Sequence, residues 1–311
     1  MRLWIDDPAP IDLFAPDHAL LPVEVCAWTG DLSDVTPAQI VIEAFACEPS
    51  PCYIEHMATL PRHPVWINLE YLSAEDWVAG YHGLPSPHPH LPLMKFFFFP
   101  GFVAGTGGLL REAHFTAPPA PTFCARLGIS LFCYDNPALP DLLAAWRDGE
   151  QCVDCHVAAG LPQRQVEAWL GDPFPTVSAI QRGQLTLHAL PFLPQTEYDK
   201  LLASCHLNFV RGEDSLVRAL WAERPFVWQA YPQAEDAHHV KLAALLERLS
   251  ACAPMRNIWQ AWNTAGAIAA TWPAFLAVLP RLAEQAPHRA QQILAQGDLA
   301  GNLVKFCMAR L

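Results

Sequence analysis

The chain has 311 residues, 52% of them hydrophobic, and a formal net charge of -12. That much apolar material over that length buries a sizeable core and sets a soft expectation of two domains, while the acidic balance, with no basic stripe, excludes a binder that tracks nucleic-acid phosphates by displacing counterions. The first residues reach the charged turn Asp6-Asp7-Pro8 too soon for a signal peptide, and no run approaches the roughly 18 apolar residues of a membrane span, so a cytoplasmic protein with no membrane partner is expected.

Strand-like and helix-like runs alternate, the mark of mostly parallel α/β sheets. In the first part, residues 2–5, 23–27, 39–45, 65–69 and 95–99 read as strands. Ser50 followed by Pro51 is an N-cap and first-turn pair for a helix to Leu60, and Ser73-Ala-Glu-Asp76 opens another through Trp77. The Pro/His-rich stretch 83–92 fits neither period and is expected as a surface loop; its histidines have no fixed spacing that would set a coordination geometry. The closely spaced prolines of Ala117-Pro-Pro-Ala-Pro-Thr122 favour an extended linker, which places a boundary between domains 1–125 and 126–284. Past the linker, strands are expected at 129–133, 152–157, 185–190 and 207–210, with helices at 140–147, 163–170 and 196–205 between them. Helices near 237–249, 265–271, 275–284 and 299–311 close the chain, and 285–311 is expected to pack back on the first domain.

Ten cysteines in a chain this long are too dilute for a disulfide scaffold. Cys152-Val-Asp-Cys155-His156 matches the c-type haem attachment pattern, but that attachment belongs to exported proteins, and the residues read better as a strand entering a turn at Gly160. Zinc finds no second Cys/His cluster at suitable spacing, and no metal cofactor is expected.

The strongest candidate site is a buried-strand run, Leu207-Asn-Phe-Val210, leading through Arg211-Gly212-Glu213-Asp214-Ser215 into the helix that holds Val217, Leu220 and Trp221. Open α/β sheets bind ligands beyond the carboxyl ends of their strands, where a helix N-terminus offers N–H groups and a positive dipole end to a phosphate. Gly212 lets the backbone approach, Arg211 can pair with phosphate, Ser215 or Asp214 can cap the helix, and Glu213 suits sugar hydroxyls or a cationic acceptor. An ordinary capped helix start explains Asp214 or Ser215, but not Arg, Gly and Glu before them. Tyr134, past the strand ending in Phe132-Cys133, can stack on a base or serve as a structural aromatic. Gln195, where a strand gives way to a helix, can read a base edge or simply face water at the surface. Gln233 and Asp236 can reach sugar hydroxyls, and Asp236 can equally be an N-cap. In the first half, Phe96-Phe-Phe-Phe-Pro-Gly101 runs into a glycine-rich loop to Gly108 that lacks the lysine of a Walker loop and suits close backbone packing or a cleft wall. Asn68 and Glu70 end a strand and can face a cleft or satisfy loop backbone.

Taken together, VIEAFACE (41–48), WINLEYLSAEDW (66–77), FFFPGF (97–102), TGGLLRE (106–112), SLFCY (130–134), NFVRGEDSLVRALWA (208–222) and PFVWQAYPQ (225–233) resemble the EarP family, protein-arginine rhamnosyltransferases that modify elongation factor P. The resemblance implies a GT-B architecture, two Rossmann-like domains facing across a cleft. It implies an inverting, metal-independent transfer of rhamnose from dTDP-β-L-rhamnose to an arginine of elongation factor P, which activates that factor for translation of polyproline stretches. Donor binding carried over from the family falls on Tyr134, Gln195, Glu213, Asp214 and Ser215.

The sequence departs from the family at its start. Family members open with a strand and helix joined by a loop resembling Asp-Asn-Phe-Gly-Asp-Ile-Gly, whose second aspartate acts as general base, whereas this chain begins at what resembles the second strand, RLWIDD. The resemblance therefore implies an N-terminal truncation. Neither Asp6 nor Asp7 is expected to replace the missing base, which must lie within hydrogen-bond reach of the guanidinium. An enzyme whose base lies upstream and a protein that holds dTDP-sugar or elongation factor P without turnover are the two readings this leaves.

Overall fold

The computed structural model describes residues 1–28, 30, 32–45, 47–112, 119, 121–123, 125–174, 179–233, 237–264 and 266–311. The chain divides into two compact units: Met1–Glu112 together with Gln292–Leu311, and Ala113–Gln291. The prolyl segment expected as the linker, 117–122, lies largely outside the described residues.

In the first unit, β1 (Arg2–Ile5) and β2 (Glu24–Ala27) form a parallel pair, with the single-turn helix α1 (Ile11–Phe14) between them in sequence. A second sheet has the order β3-β4-β6-β5, built from β3 (Ile40–Ala44), β4 (Val65–Leu69), β6 (Met94–Phe98) and the short β5 (Pro85–Pro87). Its two faces are covered differently because neighbouring residues of a strand point to opposite sides. Val41 and Trp66 pack with Tyr53, Ile54 and Met57 of α2 (Pro51–Thr59). Val65, Ile67 and Phe98 on the other face meet Cys307 of α11 (Leu299–Met308). Phe306 adds edge-on ring contacts to Phe96 and Phe98 at 5.8 and 5.4 Å. The carboxylate of Asp298 caps α11, accepting from the N–H groups of Ala300 and Gly301 at 2.9 and 3.0 Å.

Several expectations for this unit are corrected. Ser50 stands at the N-cap of α2 but its hydroxyl makes no capping bond. No helix starts at Ser73, which pairs with Gly101 in an isolated bridge while its hydroxyl accepts from Glu75 N–H, and the helical turn α3 begins at Val78 (Val78–Tyr81). The stretch 83–92 is not all loop, because β5 joins β6 antiparallel at the sheet edge, where prolines without N–H groups are tolerated. His88 there turns its Nδ1 to the backbone N–H groups of His90 and Leu91. The glycine-rich loop serves packing: a Cβ on Gly107 would lie 2.4 Å from Phe98, and one on Gly108 2.5 Å from the Gly297 carbonyl.

The second unit is a six-stranded sheet of order β12-β11-β7-β8-β10-β9. Its strands are β7 (Arg126–Leu131), β8 (Cys152–Val157), β9 (Ile180–Arg182), β10 (Leu185–Ala189), β11 (Leu207–Arg211) and β12 (Phe226–Gln229), parallel except for β9. Between them run α4 (Leu139–Asp148), α5 (Leu161–Leu170), α6 (Gln195–Ser204) and α7 (Asp214–Trp221), followed by α8 (Ala237–Arg248), α9 (Ala253–Asn263) and α10 (Ile268–Leu294). In α4 the buried Leu139, Leu142, Leu143 and Trp146 recur at helical spacing, each such leucine stabilising the fold by about 1.5–3 kcal/mol. Trp146 lies 5.7 Å from Phe209 and 5.5 Å from Trp272, and Phe209 lies 4.9 Å from Trp262. In β8 the alternation separates the two cysteines of the Cys-x-x-Cys-His stretch: Cys155 is buried, while Cys152 on the other side bonds Gln184 Oε1. They form neither a haem-attachment nor a ligand pair.

The two helices expected at 265–271 and 275–284 are one helix, α10, with Pro273, Pro280 and Pro287 inside it. A proline ends an isolated helix because it lacks an N–H and crowds the preceding turn, but burial of Ile268, Trp272, Phe275, Leu279, Leu282, Ala286 and Ala290 along one face outweighs that cost. Neither α9 nor β9 was expected from the sequence.

Candidate functional site

The order β12-β11-β7-β8-β10-β9 creates a switch point. From β7 the chain moves outward through β8 to β10, then returns through α6 to place β11 on the other side of β7. The loops after β7 and β11 therefore leave in opposite directions, and the crevice beyond the carboxyl ends of these strands is where doubly wound sheets hold ligands. Tyr134 follows β7, Arg211 ends β11, and Gln229 ends β12.

Arg211 is gripped by aromatic rings. Its guanidinium carbon lies 4.3 Å from the Phe132 ring centre and 4.4 Å from that of Tyr134, and its buried Nε has no hydrogen-bond partner. Tyr231 meets Tyr134 edge-on at 5.3 Å. Gln229 fixes this loop from β12: its Oε1 accepts from Tyr134 N–H at 2.9 Å and its Nε2 donates to the Asp135 carbonyl at 3.3 Å. The thiol of the intervening residue, Cys133, is buried and pushed up to about 12, first by that burial, which disfavours the thiolate.

The turn from β11 into α7 is closed by Ser215. Its hydroxyl accepts from Arg211 N–H at 3.1 Å and donates to the Arg211 carbonyl. Gly212 between them has φ +64°, and a Cβ there would lie 2.9 Å from the Tyr134 hydroxyl, so glycine is required both by the left-handed backbone and by the approach of the ring. Trp228 Nε1 holds the Gly212 carbonyl at 2.7 Å. The expected cap is corrected: Glu213 occupies the N-cap position of α7, neither Asp214 nor Ser215 caps it, and no side-chain cap bond forms there. The first-turn N–H groups of α7 are thus left to a ligand or solvent.

Asp214 instead joins two helices. It accepts from Gln195 Nε2 at 3.2 Å and from Arg218 Nε at 3.0 Å. Arg218, its side chain only 6% exposed, also donates through Nη1 to both carboxylate oxygens of Asp199 on α6 at 2.9 and 2.8 Å. Through this clamp Gln195, the first residue of α6, is brought to the α7 N-terminus.

The structure therefore brings together Tyr134, Gln195, Arg211, Gly212, Glu213, Asp214 and Ser215. Gln233 is exposed and its backbone N–H donates to His238 Nδ1 at 3.4 Å, and Asp236 lies outside the described residues. Phe132, Gln229, Tyr231 and the Asp199–Arg218 clamp do not stand out in the sequence as site residues. Phe132 alone left a signal, its spacing of two from Tyr134 just past a strand. Among the described residues no group of three His, Cys, Asp or Glu side chains is arranged to hold a metal ion, and no helix is long and apolar enough to cross a membrane.

Residues 1–308 match the family described as elongation factor P (EF-P) rhamnosyltransferase EarP. A protein-arginine rhamnosyltransferase of Pseudomonas putida is 41% identical, the match covering 98% of this chain and 89% of that protein. One of Pseudomonas aeruginosa is 40% identical over 98% of this chain and 90% of its own. A solved structure concerned with EarP-mediated arginine glycosylation of EF-P superposes with a TM-score of 0.65 at 28% identity, covering 100% of this chain and 98% of that one. The calicheamicin glycosyltransferase CalG4, at 14% identity and a TM-score of 0.52 over 96% of this chain and 89% of that one, shares the fold. Two parallel-sheet units, a ligand crevice at a switch point and a match along nearly the whole chain together make this a glycosyltransferase of GT-B fold that belongs to the EarP family.

Proposed function

We propose that this chain transfers rhamnose from dTDP-β-L-rhamnose to an arginine side chain of elongation factor P, with inversion at the sugar carbon, in the cytoplasm and without a metal, so activating the factor for translation of polyproline stretches. The relatives named protein-arginine rhamnosyltransferases support the reaction class. The observation that carries the donor site is the guanidinium of Arg211, held between Phe132 and Tyr134 beside the N-terminus of α7, which no side chain caps. As the glycosidic bond breaks, negative charge grows on the departing diphosphate. A fixed guanidinium and aligned N–H groups of Asp214 and Ser215 stabilise that charge without reorganising, which is the work a metal does elsewhere. The aromatic rings suit the thymine base, Gly212 allows the diphosphate to approach the backbone, Gln195 bonds the nucleotide, and Glu213 is directed to the reacting groups.

The test is mass spectrometry of elongation factor P after incubation with the chain and dTDP-rhamnose. Addition of one deoxyhexose on arginine is expected where a base within hydrogen-bond reach takes the guanidinium proton, and Glu213→Ala should abolish it while the melting temperature stays unchanged. Binding without a mass change would favour a protein that holds its ligands without turnover, and undiminished transfer by Glu213→Ala would overturn the role given to that residue.

A further inference from the structure

The carboxyl ends of β3, β4 and β6 in the first unit carry a second polar cluster. In register, Glu43 stands beside Asn68 and Phe97 on the sheet face that α2 covers only at its other end; Phe45 directly follows β3, and Glu70 directly follows β4, its backbone N–H donating to the Phe98 carbonyl at 2.9 Å. Asn68, 7% exposed, donates from Nδ2 to Glu70 Oε1 at 2.7 Å. A carboxylate only accepts, which fixes the orientation of the amide. The other end of that amide, Oδ1, is buried with no hydrogen-bond partner. Among the described residues no cation pairs with Glu70, whereas the neighbouring Glu43 is held by Lys95 Nζ at 2.7 Å and Trp66 Nε1 at 3.1 Å. Next to Glu70, the half-exposed rings of Phe45 and Tyr71 lie 4.9 Å apart. Phe45 takes this place at φ +57°, a backbone state that a bulky residue occupies only where its surroundings force it.

A half-buried carboxylate without a cation, an unsatisfied amide oxygen beside it and exposed aromatic faces share one complement: a planar cation with several N–H donors. We infer that Glu70 binds the guanidinium of the acceptor arginine, that Asn68 is the positioning residue for the Glu70 carboxylate, and that Phe45 and Tyr71 offer the apolar wall. This inference rests on the arginine acceptor proposed above and gives it a place in the molecule. Glu70 anchors the cation and takes no proton in this role.

The test uses the full chain and elongation factor P in its natural form and with the acceptor arginine changed to alanine. Affinity for each is measured by titration. The unaltered chain is expected to prefer the arginine form by at least about tenfold, the scale of one desolvated charge-assisted contact. Glu70→Gln, which keeps the shape and the bond from Asn68, should abolish that preference while binding the alanine form as before, and Asn68→Leu should reduce the preference in the same direction. Retained preference in Glu70→Gln, or equal weakening toward both acceptor forms, would overturn the inference even where rhamnose transfer by the unaltered chain is established. A merely structural Glu70 would give the equal weakening. Failure of the unaltered chain to bind either form would overturn the acceptor reading itself, and this site with it.

Discussion

Gly212→Ala probes the turn on which the proposed donor site depends. The residue sits at φ +64°, where an L-side chain costs about 1–2 kcal/mol, and its new Cβ would stand 2.9 Å from the Tyr134 hydroxyl, so the ring must give way by a few tenths of an ångström. For a unit of this size each kcal/mol lowers the melting temperature by roughly 2–4 °C, which puts the expected fall at about 2–8 °C. The ring that shifts is also one wall of the Arg211 sandwich, so affinity for dTDP should fall as well. Scanning fluorimetry reads the first effect and calorimetric titration with dTDP the second. Gly212→Asn separates the causes: asparagine tolerates the left-handed backbone better, so its melting temperature should fall less, while the crowding of Tyr134 and the weaker dTDP binding remain. An alanine variant that melts with the parent chain and binds dTDP equally well would refute both the strain and the placement of the ring.

Two further outcomes follow from the same geometry. Arg218→Met removes both bonds from the buried guanidinium to Asp199, whose side chain is 14% exposed, and the one to Asp214, and should cost about 3–5 kcal/mol in urea unfolding, with Asp199→Asn added on top restoring part of the loss. A loss under about 0.5 kcal/mol, the scale of an exposed pair, would show that the clamp does not fix α6 to α7. Burial lowers the pKa of His82, whose Nδ1 accepts from Phe99 N–H at 3.1 Å and so requires the unprotonated nitrogen. The folded chain then binds fewer protons than the unfolded one just below the ordinary imidazole pKa. Stability is fully present above that value and falls as the pH drops through it toward the lower folded pKa. Melting temperatures measured from pH 7.5 to 5 should decline, less so in His82→Gln, and identical profiles for the two chains would disprove the assignment.

Much of the architecture was legible from local pattern. The run Val65–Leu69, the alternation of Cys152–Val157 and the strand-to-helix passage through Arg211–Ser215 fall where the structure has them, because a period of two or of 3.6 is written in neighbouring residues. The misses share a cause. Pro273, Pro280 and Pro287 read as helix breakers, yet one buried face holds α10 together across all three. The helix-capping role expected of Ser215 gave way to a turn closed on Arg211, and Asp214 became a bridge between α6 and α7. Each is a choice among partners distant in the chain.

The sequence by itself determined that this is an α/β protein with a glycine turn, an arginine and an acidic pair at the end of an apolar strand, and its motifs carried the family. Tertiary structure alone decided that β11 lies beside β7, since strand order depends on contacts made by residues far apart along the chain and leaves no local period. That adjacency puts the guanidinium of Arg211 between Phe132 and Tyr134 and turns two separate strand ends into one crevice.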